Sequence, residues 1–125
     1  MEWKNKSILI VEDDPDSTSY LLQILERTSA SITHVTHGEE AVKICREGQP
    51  CDLILMDIRL PDLDGLETSR QIRNLRPNIP QIAQTAFVFP DNPNYYLKQG
   101  FDSFIYKPYR VKDLLTLLEP FIADC

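Results

Sequence analysis

Three acidic residues in succession, Glu12-Asp13-Asp14, follow directly on the apolar run Ile8-Leu9-Ile10-Val11, and Asp57 follows directly on Leu53-Ile54-Leu55-Met56. A carboxylate that closes four consecutive apolar residues is costly to bury unless something pairs with it. Thr85 ends a further strand-like stretch, and Lys107-Pro108 ends another. Carboxylates gathered in one crevice repel one another and raise each other's pKa unless a divalent cation lies between them. Oxygen-only ligands with no suitable His or Cys favour magnesium over zinc. A lysine on the far side of Asp57 and a threonine hydroxyl can then hold the oxygens of a transferred phosphoryl group, with Asp57 as the nucleophile. Taken singly, each residue has a plainer reading: the acidic run as loop solvation and helix capping, Thr85 as a strand end, Lys107 as a solvated tip. Joint placement is what gives them chemistry.

That placement depends on the elements between them. Short apolar runs alternate with helix-like stretches, the pattern of parallel strands joined by crossover helices on both faces of a sheet. The strands are expected at Ser7 to Val11, Ile32 to Thr36, Leu53 to Met56, Ile79 to Gln84 and within Phe101 to Tyr106. A first helix, capped by Asp16 or Ser17, carries Leu21, Ile24 and Leu25 on one face to about Thr28. Thr36 and Glu39 have the spacing of a reciprocal cap for a second helix that Gly48 can end, and Asp64 and Glu67 repeat it for a third starting near Gly65. Pro90 and Pro93 delay the fourth helix to near Asn94 and Gly100 stops it. Val111, Leu114, Leu115, Leu118 and Ile122 form a helical stripe that Pro120 should end or bend. The expected fold is α/β, a single doubly wound (βα)5 flavodoxin-like domain with a five-stranded parallel sheet. In such a sheet ligands bind beyond the carboxyl ends of the strands, where Glu12, Asp13, Asp57, Thr85 and Lys107 all fall. The expected boundaries are an N-terminal tail over 1–6, the domain over 7–123 and a C-terminal tail over 124–125.

Composition narrows the function further. Thirteen Lys and Arg against nineteen Asp and Glu leave a net charge of −6 in 125 residues, so phosphate backbones are repelled and direct nucleic-acid binding is not expected. The longest apolar runs hold four residues, far short of the roughly 20 a spanning helix needs, and the start lacks the pattern of a secretory signal. The expectation is a cytoplasmic protein without membrane contact. Cys45, Cys51 and Cys125 show neither disulfide nor zinc spacing and read as reduced thiols. His34 and His37 read as surface residues apart from the acidic site.

With these residues in view, the chain resembles the receiver domains of two-component response regulators and hybrid histidine kinases over essentially its whole length. The likeness rests on Ile8-Leu9-Ile10-Val11-Glu12-Asp13-Asp14-Pro15, on Asp52-Leu53-Ile54-Leu55-Met56-Asp57-Ile58-Arg59-Leu60-Pro61-Asp62-Leu63-Asp64-Gly65, on Thr85-Ala86 and on Lys107-Pro108. Their order, with about 45 residues between Glu12 and Asp57, makes the match specific. The resemblance implies that Asp57 accepts a phosphoryl group from a partner's phosphohistidine. It implies direct magnesium ligation by Asp13, Asp57 and the backbone carbonyl of Arg59, with Glu12 acting through water and Asp14 just outside. Thr85 is expected to hydrogen-bond a phosphoryl oxygen, Lys107 to ion-pair with it, and Phe104 to be the switch aromatic that turns inward as Thr85 moves. The bond before Pro108 is expected to be cis.

Such a module catalyses its own phosphoryl transfer and hydrolysis but serves as a switch. Its implied partners are a histidine kinase or a phosphotransfer domain carrying phosphohistidine, and a face formed by the fourth and fifth helices is open to a weak homodimer. Trp3-Lys4-Asn5-Lys6, Ala83-Gln84-Thr85-Ala86 and the run from Gly100 to Pro108 look more like hybrid-kinase receivers than DNA-binding regulators, with no output module attached. The alternatives are a stand-alone or transcription-factor receiver, a receiver-like scaffold that takes no phosphate, an aspartate-dependent phosphohydrolase and a flavin module. Arg59 stands where the phosphohydrolase has a second aspartate, and no Gly- and Ser/Thr-rich loop follows the first strand. The stretch from Phe87 to Tyr96 departs from the family and predicts a stiff, partly unhelical segment. Phe87 and Arg59 flank the expected path of water to the aspartyl phosphate and are expected to slow its hydrolysis.

Overall fold

The computed structural model describes residues 2–85 and 94–122. Strands and helices alternate along the described chain: β1 (Ser7–Val11), α1 (Pro15–Glu26), β2 (Ser31–Val35), α2 (Gly38–Arg46), β3 (Leu53–Asp57), α3 (Gly65–Leu75), β4 (Gln81–Thr85), α4 (Tyr95–Lys98), β5 (Ser103–Tyr106) and α5 (Val111–Ile122). The five strands form one parallel sheet in the order β2-β1-β3-β4-β5. This is the doubly wound flavodoxin-like arrangement, with a crevice where the crossovers from β1 and β3 diverge.

Period two along the buried strands divides the core between the two faces. Ile8, Ile10, Leu53, Leu55 and Ile82 pack with Leu21, Leu25, Leu114 and Leu118 beneath α1 and α5. Leu9, Val11, Ile54, Met56 and Ala83 pack with Ala41, Val42, Ile72 and Tyr96 beneath α2, α3 and α4. Trp3, in the segment expected as a tail, is buried in the first of these layers, and its amide donates to the Thr28 carbonyl.

Several local expectations change. The cap of α1 is Asp14, whose carboxylate accepts from the Ser17 amide at 2.8 Å, because Pro15 occupies the first helical turn and moves the start forward. Thr36 does not cap α2. The N-cap there is His37, without a side-chain cap bond, and the Asp62 carboxylate reaches across from the β3–α3 loop to accept from the Gly38 and Glu39 amides. Asp64 does cap α3, accepting from the Glu67 amide at 2.7 Å, while the Glu67 side chain pairs with Arg70 instead of closing the box. Pro120 lies inside α5, which continues to Ile122. The fourth helix is short, as the prolines and Gly100 predict. Of the predicted stiff segment from Phe87 to Tyr96, residues 87–93 lie outside the described residues.

Candidate active site

β1 and β3 are neighbours, with Val11 in register with Met56, so the residues that follow them arrive side by side. Glu12 is fully buried, Asp57 is buried as the last residue of β3, and Asp13 is exposed. One carboxylate oxygen from each of Glu12, Asp13 and Asp57 falls within 4.8 Å of the others. Asp14 lies outside this group and caps α1. The Glu12 backbone is anchored on both sides: its amide donates to the Val35 carbonyl, and its carbonyl lies 2.8 Å from His34 Nε2. His34 therefore touches the backbone of the acidic site, a contact that its exposed, alternating position in β2 does not announce.

Desolvation, followed by the neighbouring Glu12 carboxylate, pushes the Asp57 carboxyl up to about 7. Lys107 and the Arg59 amide oppose this rise. The Arg59 amide donates to Asp57 Oδ1 at 3.1 Å, so the turn after β3 fixes the carboxylate's orientation while the Arg59 side chain stays exposed. Three hard oxygen donors around one point, with the pKa of one carboxyl raised by burial and then by its neighbour, are the donor set a small divalent cation fits.

Lys107 follows β5, and its bond to Pro108 is cis. Its ammonium lies 2.6 Å from Glu12 Oε1, 3.5 Å from Ser17 Oγ and 3.8 Å from Asp57 Oδ2. The lysine thus spans two carboxylates, with Glu12 the nearer. Thr85 closes β4, buried, and its hydroxyl accepts from the Tyr96 phenol at 3.3 Å. Phe104 on β5 is half-buried, its ring 5.8 Å from Tyr96 and 5.4 Å from Tyr106. Sequence reasoning gave Tyr96 no role; a phenol four residues before Gly100 in a short helix is the signal that was available. Beneath Lys107, the buried Tyr109 hydroxyl donates to Gln84 Oε1 at 2.8 Å, and burial raises that phenol's pKa. Phe87, expected to shield the site, lies outside the described residues.

Residues 8–119 match the family model of the response regulator receiver domain. The polar-differentiation response regulator DivK of Brucella anthropi is 33% identical over 122 residues, 95% of this chain and 98% of that protein. The transcriptional regulatory protein BaeR of Escherichia coli is 34% identical over 118 residues, 94% of this chain and 48% of that protein. Among solved structures, the receiver domain of sensor histidine kinase PA1611 from Pseudomonas aeruginosa, with a magnesium ion coordinated in its active-site cleft, superposes with a TM-score of 0.85 at 31% identity, covering 95% of this chain and 98% of that one. The signal receiver domain of a histidine kinase from Syntrophus aciditrophicus gives 0.83 at 33% identity, over 94% of this chain and 90% of that one. With family motifs at the ends of β1, β3, β4 and β5 and a family match over nearly its whole length, this chain belongs to the response regulator receiver domains of two-component systems.

Proposed function

We propose that this domain is the phosphoacceptor of a phosphorelay, with Asp57 taking the phosphoryl group. The observation that carries the reading is the buried Asp57 carboxylate gathered with the carboxylates of Glu12 and Asp13, with the Lys107 ammonium 3.8 Å from Asp57 Oδ2. A carboxylate oxygen of Asp57 attacks the phosphorus of a partner's phosphohistidine. The new O–P bond forms as the N–P bond breaks, and the electron pair leaves on the imidazole nitrogen. Asp13, Asp57 and the Arg59 carbonyl would hold Mg2+ directly and Glu12 through water; the cation supplies charge neutralisation at the transferring oxygens. Lys107 exchanges part of its pairing with Glu12 for a phosphoryl oxygen, and the Thr85 hydroxyl donates to another. Phe104 responds as the aromatic neighbour on β5.

The setting we favour is the cytoplasmic part of a hybrid sensor histidine kinase, supported by the likeness to the kinase receivers above. The alternative, a stand-alone regulator, is favoured by the coverage of DivK at 98% of its length. The coding sequence on either side of this segment discriminates the two. The partner is a kinase or phosphotransfer domain bearing phosphohistidine.

Incubation with acetyl phosphate and magnesium, read by intact mass, is expected to add one phosphoryl group to the protein and none to Asp57→Asn. Equal labelling of the two proteins would overturn the assignment.

A further inference from the structure

Lys107 reaches the acidic site from the segment between β5 and α5. Its amide donates to the Thr85 carbonyl at 2.8 Å, and Pro108 after it brings no N–H. Tyr109 supplies further ties in two directions. Its carbonyl accepts from the Tyr20 hydroxyl on α1 at 2.7 Å, and its phenol donates to Gln84 Oε1 on β4 at 2.8 Å. The Tyr20 and Tyr109 rings pack with centroids 5.7 Å apart.

Gln84 stands beside Asp57. The two are in register on neighbouring strands, and they continue the alternation of Leu55 and Ile82 on the face of the sheet beneath α1 and α5. Gln84 is fully buried, and its amide nitrogen has no hydrogen-bond partner among the described residues. A buried donor left unpaired costs stability that an apolar side chain in the same place does not, as Ile82 illustrates two residues earlier. What the amide supplies instead is a fixed acceptor for the phenol. Burial, and then negative charge at Glu12, Tyr20 and Asp57, raise the pKa of that phenol, so it stays protonated and donates.

We propose that Gln84, Tyr109 and Tyr20 form a brace that fixes the Lys107 ammonium relative to Asp57, all three as positioning residues for the phosphoryl transfer. The proposal rests on the reading of Asp57 as phosphoacceptor. Two carboxylates compete for the one ammonium, which lies 2.6 Å from Glu12 and 3.8 Å from Asp57. A flexible lysine stem on a loosened segment follows the nearer charge. Tied to β4 at the level of Asp57 and to α1 on the other side, the segment keeps the lysine within reach of an oxygen bound at Asp57.

The test uses the full chain with 13C-labelled lysine, comparing the unaltered protein with Tyr109→Phe, with Tyr109→Phe combined with Gln84→Met, and with Tyr20→Phe. Urea unfolding gives stability, and intact mass gives the rate of labelling by acetyl phosphate in saturating magnesium. The Lys107 ε-methylene resonance, assigned by its loss in Lys107→Met, reports the surroundings of the ammonium. Tyr109→Phe leaves the Gln84 carbonyl without its donor and is expected to be less stable and to label about three- to tenfold more slowly. The double variant replaces both partners by apolar groups, so it is expected to regain stability yet label as slowly, with the Lys107 resonance displaced in both. Tyr20→Phe loses only a hydroxyl from an exposed side chain and is expected to slow labelling at nearly unchanged stability. Labelling that recovers together with stability in the double variant, or a Lys107 resonance there like that of the parent, would overturn the brace and leave Asp57 as acceptor. Should the double variant not regain stability, Tyr20→Phe decides, and labelling at the parent's rate overturns the brace. No label on the unaltered protein would instead remove the phosphoacceptor reading, and the brace with it.

Discussion

The ammonium of Lys107 sits 2.6 Å from the fully buried carboxylate of Glu12, ninety-five residues away in the chain. Breaking a buried pair by removing one partner leaves an uncompensated charge, which is more destabilising than the pair itself is stabilising. Lys107→Met is expected to lower stability by about 3 kcal/mol in magnesium-free buffer. Glu12→Gln combined with it should recover part of that loss. Urea unfolding of the parent and these two variants measures this, and a loss below about 1 kcal/mol in Lys107→Met would show that Glu12 does not depend on Lys107.

Asp57 is an acid whose carboxyl is raised in the folded protein to about 7, mainly by desolvation and then by Glu12. The folded state therefore holds its proton more tightly than the unfolded chain, and the resulting contribution to stability is lost as pH rises from about 4 to about 7. Asp57→Asn removes this dependence. Without a divalent cation, the variant should gain stability relative to the parent across that window, reaching about 1 to 3 kcal/mol by pH 8. Denaturant curves for both proteins at a series of pH values test it; a gap that stays constant with pH would contradict the shift.

Cation binding should oppose the same proton. Below about pH 7 the Asp57 proton must leave before its oxygen can ligate, so apparent magnesium affinity is expected to rise about tenfold per pH unit and level off above. Calorimetry in buffers of different ionisation enthalpy reads both the affinity and the proton released. Chelation with EDTA at pH 8 should lower the melting temperature of the parent but not of Asp57→Asn.

Gly65 opens α3 directly beneath the end of β3, and its amide donates to the Ile58 carbonyl at 2.8 Å. A Cβ there would overlap the Asp57 carbonyl oxygen and lie 2.7 Å from Ile58 Cα, both backbone atoms that cannot turn aside. Gly65→Ala is expected to destabilise by about 1 to 3 kcal/mol and to slow labelling of Asp57 by acetyl phosphate, because the turn that orients the carboxylate must move. Unaltered labelling kinetics would show that the turn is free to adjust.

Asp62 lends its carboxylate to the amides of Gly38 and Glu39, tying the loop after β3 to the start of α2. Asp62→Ala should cost about 1 kcal/mol, with amide exchange accelerated at Gly38 and Glu39 first. Thr36→Ala should leave those amides as protected as before, since Thr36 does not cap the helix.

Much of this protein is legible in one dimension. Four apolar residues running into Asp57, and the same pattern running into Glu12, identify buried parallel strands and the acidic ends they present, because a strand covered on both faces has no polar alternation. Gly100 at φ +107 ends the α4 turn for an equally local reason. What spacing does not encode is which partner wins when several compete. Thr36 and Glu39 had the spacing of a cap, yet Asp62, from a loop more than twenty residues away, bonds to the α2 amides. Lys107 was expected to pair with a phosphoryl oxygen, and that its ammonium rests 2.6 Å from Glu12 and 3.8 Å from Asp57 is a pairing no spacing announces. His34 against the Glu12 carbonyl and Tyr96 against Thr85 likewise depend on the sheet order and on the seating of α4. Period and composition act between near neighbours and determine the elements and their chemical ends; pairing between those ends is decided by packing in three dimensions, where a shift of one ångström exchanges one hydrogen-bond partner for another.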